Sequence, residues 1–174
     1  AVAIALEALL LSGLSMLVAG SSAPASGGEH LISHYIDMKQ ALYGTANDLH
    51  GVQVGVATVH CLQLWEKVLA LDPDSIDPDA LADAQPANEQ IEKWAIEDWG
   101  ADVAAEVIAQ WKQKSRPRDV LRAEITSFRD RLPQIREAVS KDLLPSTTVA
   151  NAIRESGGYA LMPEWGTHPA NHYL

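Results

Sequence analysis

The chain is expected to fold as an all-α protein, a multi-helix bundle. Three observations predict it. Apolar residues recur at helical spacing, as in Ile91, Trp94, Ala95 and Ile96 followed by Val103, Val107, Ile108 and Trp111. No stretch alternates apolar and polar residues over a strand's length, and no internal repeat of fixed period is present. Short segments rich in Gly, Pro, Ser and Asp separate the periodic runs and read as connectors. With 174 residues, 47% of them apolar, the chain is long enough for a single helical domain over residues 1–174.

Residues 1–20 are rich in Ala, Leu and Met, strong helix formers, and are expected as a helix buried within the bundle, ending at Ser12-Gly13 or at Gly20. A signal peptide or membrane span is the alternative reading. Glu7 in mid-segment and the lack of a basic leading stretch speak against it, so no membrane span is expected. Residues 20–28 are small and polar with Pro24 as a breaker, a loop whose Ser26 is placed to cap the next helix. That helix, over 26–42, carries His30 and His34 one turn apart on one face and Asp37 a further turn along.

A turn over 44–48 follows, with Asn47 or Asp48 to cap a long helix running to about Leu71, in whose first turn His50 sits. Gly51 and Gly55, four apart, are expected to admit a neighbouring helix closely. His60 falls at a different angular position, away from the site. The acidic run Asp72 to Asp79 holds two prolines and no central Gly, which contradicts a calcium loop; capping aspartates in a solvated connector are expected. The aromatics after Asn88 are expected in the core. Arg116-Pro117 marks a helix boundary, Val120 to Phe128 continues helically, Pro133 opens a further helix through Leu144, and Ser146 caps a last one ending at Gly157-Gly158. Tyr159 to Leu174 reads as an irregular tail with His168 and His172 on the surface.

The net charge of −10, from 23 acidic and 13 basic residues without a basic stripe, excludes a polyanion partner, so no nucleic acid is expected. The single Cys61 cannot form an internal disulfide; a buried, inert thiol in a cytoplasmic protein is expected. No strand, glycine-rich turn and helix unit for a dinucleotide is visible.

The chemistry-bearing stretch is Ser26-Gly-Gly-Glu-His30-Leu-Ile-Ser-His34-Tyr-Ile-Asp37, answered by Leu49-His50-Gly51. From His30 a helix reaches about 18 Å to Leu42, and the eight residues back to His50 span roughly 26 Å if extended, so His50 can return beside His30. Two histidines from separate helices and a carboxylate would leave an open position on a zinc-like ion. Surface or core histidines are the alternative for so short a pattern.

Gly20-Ser-Ser-Ala-Pro-Ala-Ser-Gly-Gly-Glu-His30, then Ser33-His34, then His50-Gly-Val-Gln-Val-Gly55 resembles the C-terminal helical domain of the glycerol-1-phosphate dehydrogenase family, within the wider group of iron-containing alcohol dehydrogenases, glycerol dehydrogenases and dehydroquinate synthases. The resemblance extends nearly along the whole chain, to Leu144-Pro145 and 152–157, with specific motifs only in residues 20–58. It implies His30 and His50 as metal ligands, His34 as the catalytic group beside the substrate, and Ser26 and Asp37 as substrate or supporting residues. It also implies Zn2+, or Fe2+ or Ni2+ in its place, with NAD or NADP bound mainly by a nucleotide-binding domain absent from these residues. The remaining ligand would be a carboxylate that precedes residue 1, which Asp37 does not match. The pattern departs from the family where Ser22-Ala-Pro-Ala-Ser26 replaces Ser-Arg-Pro-Ala-Ser and where Val52-Gln53 replaces Glu-Lys.

The resemblance therefore implies the metal-binding helical half of an NAD(P)-dependent polyol or alcohol dehydrogenase, moving hydride between glycerol 1-phosphate and dihydroxyacetone phosphate or a related polyol. A homo-oligomer is expected, and the 174 residues alone should be inactive and hold metal weakly. Two rival readings stand beside it. A dehydroquinate-synthase-like lyase would want more basic groups than Lys39, the single Lys or Arg in residues 20–58. A non-catalytic helical association module would need none of the chemistry.

Overall fold

The computed structural model of the protein describes residues 2–45 and 48–161. Among the described residues the regular structure is helical, with eight α-helices and no strand. This bears out the all-α class. His168, His172 and the Asn47 cap lie outside the described residues. The chain divides into two compact units, one made of the described residues up to Glu66 with those from Leu144 onward, the other of Lys67–Leu143.

In the first unit, α1 (Val2–Ala19) runs unbroken through Ser12-Gly13, but the burial expected of it is not found. Leu9, Leu10, Leu17 and Val18 are exposed, and among the described residues it packs chiefly against the 3-10 turn Ala23–Ala25. The physical reason is that the helix is apolar around its whole circumference, so no polar face orients it, and a three-residue turn can cover little of it. It is long and apolar enough to cross a membrane.

Helix α2 (Gly28–Tyr43) ends where Gly44 takes a left-handed conformation, φ 65°, and donates its N–H to the Gln40 carbonyl at 2.8 Å. Only glycine adopts that backbone without strain, so the chain stops here and turns back. Helix α3 (His50–Ala70) then runs antiparallel to α2, as the pairing of Ser33 with Gln53 and of Gly28 with Cys61 shows. The glycine that admits this close approach is Gly28, where a Cβ would stand 3.2 Å from the Cys61 Sγ. Gly51 instead faces open space, and Gly55 is in ordinary contact with Ile153. The close approach expected at Gly51 and Gly55 is thus not found at either: the angular position of Gly51 points it away from every described residue.

Helix α8 (Ser146–Glu155) closes the unit by packing Ala150, Val149 and Ile153 against Val59 of α3 with Ala160 and Leu161. Ser146 is the first helical residue rather than the cap. Its N–H and hydroxyl both donate to the Glu66 carboxylate, at 2.7 and 2.9 Å, so an acid borrowed from α3 serves the exposed donors of the helix start.

In the second unit the acidic run behaves as capping residues. Asp72 accepts from the Asp74 N–H, and Asp77 accepts from Asp79 and Ala80 at the start of α4 (Pro78–Asp83). Helix α4 pairs with α7 (Arg118–Val139) through Arg118, which binds Asp83 and Asp79, and Arg122, which binds Asp79 at 2.6 Å. Pro133 lies inside α7 rather than opening a new helix. An interior proline costs about 3 kcal/mol, and the surroundings offset it: Leu132 is fully buried, and the Arg136 guanidinium binds the Leu69 and Leu71 carbonyls, each at 2.7 Å.

Helices α5 (Asn88–Trp99) and α6 (Ala101–Lys114) form a hairpin hinged on Gly100, φ 74°, ψ 161°, a backbone open essentially to glycine alone. Their small buried residues, Ala95 and Ala104, let the helices approach, while Trp94 is exposed, contrary to the core position expected of the aromatics. Trp94, Trp99 and Trp111 with Ile91 and Val107 rim a shallow cavity of about 190 Å³.

Candidate metal centre

The local sequence decides which side chains α2 presents. His30 and His34 differ by four residues and share a face, and the buried Ser33 and half-buried Asp37, also four apart, form the adjacent stripe that meets Gln53 of α3. Because α3 starts at His50, its first turn delivers His50 and Gln53 to that same end of the helix pair. The three imidazoles gather: the ring centres of His30 and His50 are 5.2 Å apart, those of His34 and His50 5.9 Å, and those of His30 and His34 6.4 Å.

Two of the rings are held at Nδ1. The Glu29 carboxylate lies 3.0 Å from His30 Nδ1 and also accepts the Gly27 N–H at 2.8 Å. Burial alone would raise the Glu29 carboxyl, but the hydrogen bonds from His30 and the backbone outweigh it and hold the group below its ordinary value. His50 Nδ1 lies 2.9 Å from the Ser33 hydroxyl. His34 is exposed, with its ring beside the other two imidazoles.

Below the rings sits a buried polar chain. Ser33 and Gln53 are both 0% exposed, so each polar atom there needs a partner. The Ser33 hydroxyl donates to Gln53 Oε1 at 2.6 Å, and Gln53 Nε2 donates to Asp37 at 2.9 Å and to the Asp48 carbonyl at 3.1 Å. Asp37 thus joins the site through Gln53 rather than by facing the histidines directly. Ser26 takes part in neither chain: it lies before Gly27, which occupies the cap position of α2 without a side-chain bond.

Sequence reasoning missed Glu29, Ser33 and Gln53. The signal for Ser33 was its four-residue spacing from Asp37, and for Gln53 its position one turn after His50. Neither could be chosen without knowing which faces of α2 and α3 meet.

The fit to a metal ion is that of a partial ligand set. A tetrahedral ion that holds two imidazoles at about 2.0–2.1 Å separates their ring centres by roughly 5 Å, which the His30 and His50 pair matches. Among the described residues no group of three His, Cys, Asp or Glu side chains converges closely enough to hold an ion. The donors present are two neutral-capable imidazoles with supported Nδ1 atoms, the kind of donor a zinc-like ion takes.

Comparison with known proteins shows that part of the chain is similar to glycerol-1-phosphate dehydrogenases. It is 48% identical over 60 residues to the glycerol-1-phosphate dehydrogenase (NAD(P)+) of Halalkalibacterium halodurans, a stretch covering 34% of this chain and 15% of that protein. It is 39% identical over 72 residues to the Caldivirga maquilingensis enzyme of the same name, 39% of this chain and 20% of that protein. With the Halorubrum lacusprofundi enzyme it shares 54% over 56 residues, 32% of this chain and 15% of that protein. The resemblance read from the sequence is borne out, over about a third of the chain in these relatives rather than nearly all of it. The matched stretches span only about a sixth to a fifth of the relatives' own length. No family model matches the chain, and no solved structure does.

Proposed function

We propose that the chain supplies the metal-binding helical part of an NAD(P)- and metal-dependent dehydrogenase. Its substrate class is a polyol or polyol phosphate, such as glycerol 1-phosphate and dihydroxyacetone phosphate. The observation that carries this reading is the His30 and His50 pair, 5.2 Å apart with each Nδ1 engaged by a neighbour, in a chain whose named relatives are dehydrogenases. Those names favour the dehydrogenase over the lyase reading.

In this reading His30 and His50 hold a Zn2+, Fe2+ or Ni2+ ion through Nε2, with further ligands supplied from outside the described residues. When bound, the ion polarises the substrate oxygen as a Lewis acid. Glu29 orients His30, and Ser33 orients His50. His34, exposed and a ring's width away from both, is placed to hold the substrate hydroxyl and carry its proton to solvent. NAD or NADP binds mainly to a further domain. The working enzyme is a cytoplasmic homo-oligomer, in which the exposed apolar α1 is covered.

The test is zinc binding by equilibrium dialysis near neutral pH, where imidazole is mostly neutral. The chain should take up one equivalent weakly, and His30→Ala and His50→Ala should each abolish uptake while His60→Ala leaves it unchanged. Equal uptake by all four proteins would sink the assignment. The chain alone should form no NADH from glycerol 1-phosphate.

A further inference from the structure

We propose that Gln53 and Ser33 form a proton-orienting chain, anchored by Asp37 and the Asp48 carbonyl, that fixes which nitrogen of His50 carries its proton. The inference rests on the metal-binding reading for its use, but its logic needs only the hydrogen bonds.

The hydrogen-bond chain is fixed at its Gln53 end. One terminal atom of the Gln53 side chain lies 3.1 Å from the Asp48 carbonyl and 2.9 Å from the Asp37 carboxylate. A backbone carbonyl can only accept, so that atom is the amide nitrogen, and its two protons are used by these two acceptors. The other terminal atom is therefore the carbonyl oxygen, and it lies 2.6 Å from the Ser33 hydroxyl. An oxygen of this kind only accepts, so Ser33 spends its single proton on Gln53. Nothing remains for Ser33 to donate to His50 Nδ1 at 2.9 Å, and that nitrogen must donate instead. The neutral ring then holds its proton on Nδ1 and its lone pair on Nε2.

The chain has little freedom to reverse. Ser33 and Gln53 are wholly buried, out of reach of bulk solvent. Turning the Gln53 amide over would place its oxygen against the Asp48 carbonyl and Asp37, with no proton between them. A buried donor or acceptor left unpaired loses its hydrogen bonds to water with nothing in exchange, so the reversed arrangement is disfavoured. Ser33, Gln53 and Asp37 are thus positioning residues. They act through His50 and present its Nε2 as a bare lone pair, the form a metal ion takes. Glu29 does the same for His30 from the opposite side, accepting at Nδ1.

The experiment is long-range 1H–15N correlation of the histidine rings in the uniformly 15N-labelled chain without metal, on the wild type, Ser33→Ala and Gln53→Met. In the wild type His50 should show its proton on Nδ1. Ser33→Ala removes the acceptor and Gln53→Met frees the Ser33 proton, so both should move His50 toward the mixture of tautomers that a free imidazole shows, with the His60 signals unchanged. Zinc affinity, read in parallel, should fall about 10- to 100-fold in both variants. A His50 proton on Nε2 in the wild type overturns the inference even if a variant fails to fold, as does a tautomer indifferent to both substitutions. The Nδ1 tautomer with its expected response but no zinc uptake supports the chain and overturns the metal reading instead.

Discussion

Glu66 places both carboxylate oxygens on one residue, Ser146, accepting its backbone N–H at 2.7 Å and its hydroxyl at 2.9 Å across eighty residues of sequence. Ser146 is 4% exposed, so these bonds are partly shielded from water. They also put an anion at the start of α8, where the helix dipole favours it.

Glu66→Ala should therefore lower the stability of the first unit by about 1–3 kcal/mol, the usual loss when a buried donor is left without its charged partner. Urea titration with amide hydrogen exchange read over α3 and α8 would measure it. Glu66→Gln keeps one acceptor and should lose about half as much. No change in either variant would show that α8 holds to α3 by Val59, Ala150 and Ile153 alone.

The second unit should be acid-sensitive through α4 and α7. The bond from Arg122 holds the Asp79 carboxyl below its ordinary value, and that from Arg118 does the same for Asp83. The folded chain then binds fewer protons than the unfolded chain, whose aspartates titrate near about 3.9. Their stabilisation is fully present above that value and is lost as the pH falls through it toward the lower folded values. Thermal melts between pH 6 and pH 2 should show a smaller loss in Asp79→Asn with Asp83→Asn than in the wild type. Parallel pH curves would mean these exposed pairs contribute nothing measurable.

Cys61 should react slowly. Burial, and secondarily the Glu29 charge, push its thiol up, so little thiolate is present at neutral pH. Alkylation by iodoacetamide should be slower than for an exposed peptide cysteine, and Glu29→Gln should speed it at constant pH by removing the repelling charge. If Glu29→Gln leaves the rate unchanged, burial alone accounts for the protection.

Much of the fold was legible in the sequence because helix periodicity, breakers and caps are local. The turn at Gly44, the boundary at Arg116-Pro117 and the capping roles of Asp72 and Asp77 all depend on residues within a few positions of one another. Pro133 misled for a related reason. Its local preference is to begin a helix, and it is overruled by the burial of Leu132 and by Arg136, whose carbonyl partners Leu69 and Leu71 lie far away in sequence. The histidines were legible as a spacing on one helix, while their supports were not.

The sequence by itself determined the all-α class, the face shared by His30 and His34, and the partial similarity to glycerol-1-phosphate dehydrogenases, since each resides in short runs of neighbouring residues. Only the tertiary structure decided that His50 stands 5.2 Å from His30, that Gln53 reaches Asp37 through the buried side of the helix pair, and that Glu66 rather than Ser146 serves the start of α8. The difference is physical. Spacing along one helix is set by its own geometry, whereas a hydrogen bond between helices depends on which faces pack together and how far one is slid along the other, and no single element carries that information.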